Sequence, residues 1–106
     1  MRVWLDDIRP APEGYIWCKS VNELIDTIDA LSLDDKYFDL PIELVDMDHD
    51  AGDYASDGGD YIKFLDYCEE CWGKSLPFDV RIHSANPVGV ANMRRIIQRN
   101  GWREVF

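Results

Sequence analysis

Short apolar runs alternate along the chain with longer stretches whose apolar residues recur every three or four positions. The first run, Arg2–Leu5, ends in Asp6-Asp7, and a loop rich in proline and glycine separates it from a second run, Tyr15–Cys18. Ser20 and Glu23 have the spacing of a capping box, in which the serine oxygen accepts from an otherwise unpaired helix amide. Val21, Leu24, Ile25, Ile28 and Leu31 then line one face of a helix. Ile42–Asp46 reads as a strand after Pro41, and an acidic loop follows it. A second helix is expected from Asp57 to Trp72, striped by Tyr61, Phe64, Leu65, Cys68 and Trp72 and stopped by Gly73. Phe78–Ser84 predicts a further strand. Asn86 then caps a helix that carries Pro87 at its first position. Val90, Met93, Ile96 and Ile97 form that helix's inner face, Asn100-Gly101 ends it, and Trp102–Phe106 reads as a last strand.

Strands that alternate with helices predict a parallel sheet with helices on both faces. The expected fold is therefore a small doubly wound α/β domain of about five mostly parallel strands and three helices. At its start a strand-loop-strand stands where a helix would usually sit. A chain of 106 residues has room for one such domain, and its 46% apolar content can supply the core. No apolar run approaches the ~20 residues of a membrane span, and no basic-then-apolar leader opens the chain. The expectation is a cytoplasmic protein without a membrane partner, in a bacterium or, if phage-encoded, in its host.

Charge narrows the classes of function. The chain carries 21 acidic and 11 basic residues, a net charge of −10. A non-specific nucleic-acid binder neutralises phosphates and is basic, so duplex DNA binding is not expected. The acids are unevenly spread: residues 34–60 hold ten of them against the single Lys36. Such a segment can be a solvated loop, a cation site, or a surface that contacts a protein partner by mimicking nucleic acid. Cys68 and Cys71 have the CxxC spacing, but no second ligand pair accompanies them, and they fall late in a helix. Packing thiols are the expected reading.

In open parallel sheets ligands bind beyond the carboxyl ends of the strands. Those ends carry Asp6 and Asp7, then Asp46, Asp48, His49 and Asp50, then His83 and Ser84. Aspartates crowded together repel, and a divalent cation relieves that repulsion; a few hard oxygen ligands describe magnesium or manganese. The plainer alternative is that the adjacent aspartates cap loop backbone. His49, between two aspartates, and His83, ahead of the Asn86 helix start, are candidates for proton exchange or for purely structural roles. Arg9 is placed to clamp a phosphate, or is an ordinary surface arginine. His83 and Ser84 point to opposite faces of a strand, so they form no nucleophile–base pair.

Leu5-Asp6-Asp7-Ile8-Arg9-Pro10, Asp48-His49-Asp50 with Gly52, and Ile82-His83-Ser84-Ala85-Asn86-Pro87-Val88-Gly89 through Asn92-Met93 together resemble one family. It is the cyclic-phosphate processing receiver domain, a divergent offshoot of the response-regulator receiver fold of bacteria and phages. The resemblance covers essentially the whole chain in order. It implies a receiver-like, flavodoxin-like fold and a phosphoesterase acting on cyclic phosphates, either cyclic nucleotides or 2′,3′-cyclic RNA ends. Asp6 and Asp7 resemble the acidic pair that holds magnesium in receivers. Asp46 or Asp48 lies near the phospho-accepting position, and Ser84-Ala85 resembles the Ser/Thr-Ala step. The receiver's lysine after the fifth strand has no counterpart. Ala51 stands where leucine is expected, and an enlarged acidic loop follows it to Asp60.

The implied mechanism has a divalent ion on Asp6, Asp7 and Asp48 or Asp50. His49 and His83 share the proton transfers, and Arg9, Ser84 and Asn86 hold the phosphate. Two other readings stand beside it: a sensor that binds a cyclic nucleotide or metal without turnover, and an acidic inhibitor acting through residues 34–60.

Overall fold

The computed structural model describes residues 1–32 and 40–106. Four strands of four residues each, β1 (Arg2–Leu5), β2 (Tyr15–Cys18), β3 (Leu44–Met47) and β4 (Asp79–Ile82), pair with the two-residue β5 (Glu104–Val105). All pairings are parallel, in the order β2-β1-β3-β4-β5. That is the flavodoxin-like order, wound in both directions from β1. Three helices complete the domain: α1 (Val21–Leu31), α2 (Ile62–Trp72) and α3 (Pro87–Asn100). No helix among the described residues is long and apolar enough to cross a membrane.

Local chemistry sets the helix ends. The Ser20 hydroxyl oxygen accepts from the Glu23 amide at 3.0 Å, as the capping box predicts. Asn86 Oδ1 accepts from the Gly89 amide at 3.1 Å with Pro87 at the first helical position. Gly101 closes α3 at φ 69, a left-handed conformation that glycine adopts without a Cβ clash. The second helix starts later than expected, at Ile62. Residues Gly52–Ser56 form a 3-10 turn, and Asp57 serves α1 instead. Its carboxylate accepts from the Ser20 hydroxyl at 2.6 Å and the Asn22 side-chain amide at 3.1 Å, and its carbonyl accepts from the Asn22 backbone amide at 3.2 Å. Those hydroxyl and amide donors hold Asp57 below its usual pKa.

All three helices lie on one side of the sheet. The crossovers β2→β3, β3→β4 and β4→β5 all move in the same direction, so right-handed connections carry α1, α2 and α3 over the same face. α2 packs against both its neighbours. The expectation of helices on both faces is not met, because the one connection in the other direction, β1→β2, is the loop through residues 6–14. Val3, Leu5, Val45, Met47 and Val80 point to the helices and are fully buried with Leu24, Ile28, Phe64, Leu65 and Met93. On the opposite face Trp4, Tyr15 and Trp17 are half-buried under that loop. The Trp4 indole N–H donates to the Arg9 carbonyl at 2.9 Å, and the Trp17 indole N–H to the Asp6 carbonyl at 2.7 Å.

Cys68 is buried in α2 and Cys71 is exposed, so only one of the CxxC thiols is a packing residue. Burial pushes the Cys68 thiol well above its usual pKa, the opposite of what a metal-binding or reactive thiolate needs. Cys68→Ala combined with Cys71→Ala should lose no metal and no activity, at a cost of ~1–3 kcal/mol for the vacated core volume. Stoichiometric zinc present in the native protein and missing from the double variant would overturn this.

Candidate functional site

Register places the chemistry. Leu5, Met47 and Ile82 lie side by side at the ends of β1, β3 and β4. The ladder then runs one residue further. The Asp6 amide donates to the Cys18 carbonyl at 3.2 Å, Asp48 to Leu5 at 2.9 Å, and His83 to Met47 at 2.9 Å. Three chain segments therefore leave the sheet at one level, each held by a strand hydrogen bond at its first loop residue.

Asp6 is buried to 1%. Its Oδ1 accepts from the Ile8 and Arg9 amides at 3.0 Å each, and its Oδ2 lies 2.9 Å from His83 Nε2. Burial alone would raise its pKa, but these contacts outweigh it and hold the carboxyl below the usual range. Asp7 goes the other way. Burial, with the charges of Asp6 and Asp48 alongside, pushes it up even though its backbone amide opposes the shift. A Cβ on Gly52 would meet Asp7 Oδ2 at 2.3 Å, and Gly52 sits at φ +56. Only glycine leaves that carboxylate its place.

Asp6, Asp7 and Asp48 each offer a ligand atom within 4.8 Å of the others. Three hard oxygens this close fit a divalent ion such as magnesium or manganese. The other two candidates of the third strand do not join them. Asp50 is exposed and turned to the His49 ring, 2.7 Å from its Nδ1. Asp46 is fully buried below the rim, bonded to His83 at 2.6 Å and to Arg81 at 3.3 Å.

The two histidines differ. His83 spans two carboxylates, with Nδ1 2.6 Å from Asp46 and Nε2 2.9 Å from Asp6, and its ring stacks on the Trp4 indole at 3.8 Å. A neutral imidazole has one N–H. Both bridges are hydrogen bonds only when the three groups share one proton more than a neutral ring supplies. Neither ring nitrogen is open to a ligand, which the proton-exchange reading of His83 requires. His49 bonds Asp50 through Nδ1, and its Nε2 has no hydrogen-bond partner among the described residues. Its ring lies on Gly89, where a Cβ would come within 2.4 Å of the ring carbon Cγ.

Arg9 stands at the rim, half-exposed, donating from Nη1 to the His83 carbonyl at 2.9 Å and lying 4.0 Å from Asp6 Oδ2. Ser84 and Asn86 are already engaged. Ser84 Oγ accepts from the Asn86 amide at 3.1 Å, and Asn86 accepts from Gly89. The Asn86 and Gly89 amides at the start of α3 are thus capped by the chain itself.

The sequence profile of the cyclic-phosphate processing receiver domain matches residues 1–99. The chain belongs to that family. No curated protein and no solved structure gives a significant match.

In this cyclic-phosphate processing receiver domain Ala51 is fully buried in the core, where the resemblance leads one to expect leucine. The acidic loop behind it is anchored rather than free: the Ala51 amide donates to Asp60 at 3.2 Å, and Asp57 binds the start of α1. Asp34, Asp35 and Asp39 of the acidic segment lie outside the described residues. Sequence reasoning missed the partnership of Trp4 and Asp46 with His83. Alternation along the strands was the available signal, because it places Trp4, Asp46 and His83 on one face.

Crowding at Asp7 gives a direct prediction. Asp7→Asn should leave the cation-free protein as stable as the native one or slightly more so, since one of three mutually repelling carboxylates is gone. It should also remove stabilisation by added magnesium or manganese, about 1.4 kcal/mol when the ion stands at ten times its Kd. Thermal melts with and without millimolar cation check both; no cation effect on the native protein would refute the site.

Proposed function

We propose that this domain is a divalent-cation-assisted phosphoesterase that opens cyclic phosphates, in cyclic nucleotides or at 2′,3′-cyclic RNA ends, to phosphomonoesters. The observation that carries the reading is the convergence of Asp6, Asp7 and Asp48 at the strand ends. These three residues would hold the ion, whose charge offsets that of the phosphodiester and favours attack by water. Arg9, at the same rim, adds a guanidinium that can face phosphate oxygens. His49 Nε2 takes a proton from the attacking water and returns one to the leaving alkoxide, while Asp50 fixes the ring through Nδ1. One P–O bond forms and one breaks, so the product carries a free hydroxyl and a monoester. His83 acts at one remove, holding the Asp6 carboxylate in place between the Ile8 and Arg9 amides and its own ring.

The test is to incubate the purified protein with magnesium or manganese and a panel of cyclic mono- and dinucleotides and 2′,3′-cyclic-ended RNA. New phosphomonoester that disappears with chelator supports the reading; none from any substrate overturns it. The sensor reading has one observation in its favour, since only one of the two histidines has an open nitrogen. Saturable binding of a cyclic nucleotide with no product would establish it instead.

A further inference from the structure

Alternation along β1 turns Trp4 away from the helices, onto the face it shares with Asp46 of β3 and Arg81 of β4. Its indole lies parallel to the His83 ring, within 4° and with 3.8 Å between centroids, and the Tyr15 ring meets it edge-on at 5.9 Å. A stack on one side and an edge contact on another set the plane of the indole, and its N–H points within that plane. The N–H ends on the Arg9 carbonyl at 2.9 Å.

Arg9 is held at three points. Its carbonyl accepts from Trp4, its amide donates to Asp6 Oδ1 at 3.0 Å, and its Nη1 donates to the His83 carbonyl at 2.9 Å. The 2.9 Å contact between His83 Nε2 and Asp6 Oδ2 closes the ring of Trp4, Arg9, Asp6 and His83. An arginine that is free in water gives up rotamer freedom when it grips an anion. Here the backbone and one nitrogen of the planar guanidinium are anchored beforehand, which sets where the other two nitrogens stand. Among the described residues no acceptor engages Arg9 Nε or Nη2. That edge, with its two parallel N–H groups, has the shape that grips two phosphate oxygens. It stands beside the carboxylate cluster, since Nη1 lies 4.0 Å from Asp6 Oδ2.

We propose that Trp4 is a positioning residue of the site: its indole N–H holds the Arg9 backbone, so that the free edge of the guanidinium is set for a phosphate. The inference rests on the phosphoesterase reading for the use made of that phosphate. It adds a residue that touches no substrate and acts through Arg9.

The test removes the N–H and keeps the ring. Trp4→Phe retains an aromatic face for His83. Benzothienylalanine in place of Trp4 retains the whole bicycle with sulfur where the N–H was, so the answer does not depend on Trp4→Phe folding well. Binding of inorganic phosphate is followed by NMR in the presence of magnesium, and magnesium affinity is measured separately. Both changes should raise the phosphate Kd by about 3- to 10-fold, the worth of one ordinary hydrogen bond, and leave magnesium affinity unchanged. Arg9→Ala should raise the phosphate Kd further. In that background Trp4→Phe should have no added effect, because the guanidinium it serves is gone. A tryptophan with a merely structural role would weaken magnesium and phosphate together and add its loss to that of Arg9→Ala; that result overturns the proposal. So does native phosphate affinity in both position-4 variants, or the absence of saturable phosphate binding by the native protein. The phosphoesterase reading fails separately. If phosphate binding depends on Trp4 and Arg9 in this way but no cyclic phosphate is opened, the positioning role stands and the hydrolysis does not.

Discussion

Replacing His49 with asparagine should cut turnover of a cyclic phosphate by ~10²–10⁴, the usual worth of a general acid or base, and leave ligand binding within a few-fold. His49 is the ring at the rim whose Nε2 lacks a protein partner among the described residues, and Asp50 anchors its other nitrogen at 2.7 Å. Asparagine fills similar space and offers a hydrogen bond, but it cannot move a proton between water and a leaving oxygen near neutral pH. Gly89→Ala gives an independent check on the ring's placement. The new methyl would lie 2.4 Å from the ring carbon Cγ, so the imidazole must turn away. Alanine is also the better helix former, so α3 itself is not weakened. Gly89→Ala should therefore lower kcat in the same direction as His49→Asn while the domain stays folded. Single-turnover rates at saturating substrate measure both. A native rate in His49→Asn would remove the proton-transfer role from this residue and move the weight to the sensor reading.

The fold was legible where its signals are local. Ser20 with Glu23, Asn86 with Pro87, and Gly101 each mark a helix end through contacts within a few residues, and each is where the sequence places it. The start of α2 was not legible, because Asp57 looks like a helix opener and is instead recruited by Ser20 and Asn22, more than thirty residues earlier. Placing every helix on one face follows from strand order, which no local pattern states. At the site, the rim carried by the three strand ends was readable from the alternation of strands and helices. The sorting of its acids was not. Asp46 and Asp48 lie on the same face of one extended segment, about 6.6 Å apart along it at the usual rise per residue. That offset leaves Asp46 inside the sheet with His83 and brings Asp48 to Asp6 and Asp7.

His83→Asn should chiefly cost stability. The ring sits between two carboxylates that are 1% and 0% exposed, and one of its nitrogens is the nearest polar partner of one oxygen of each. Without it, Asp6 Oδ2 keeps only Arg9 at 4.0 Å, and Asp46 keeps only Arg81 at 3.3 Å on its other oxygen. Losing that partner leaves one oxygen of each buried carboxylate unsatisfied, at a cost of ~1–3 kcal/mol for each group and more where it is charged. At about 4–8 °C per kcal/mol for a domain of this size, the melting temperature should drop by well over ten degrees. The shorter amide side chain also gives up the stack on Trp4, which adds to the loss. Asp46→Asn tests the cause. In the His83→Asn background it removes a buried carboxylate that has lost its nearer partner, so the double variant should be more stable than His83→Asn alone, with a coupling of ~0.5–3 kcal/mol. Both are measured by thermal and urea unfolding in the presence of chelator, so that cation binding at Asp6 does not enter. Additive losses in the double variant would mean that His83 and Asp46 do not act as a pair. A His83→Asn protein of native stability but lower turnover would return this histidine to the chemistry of the site.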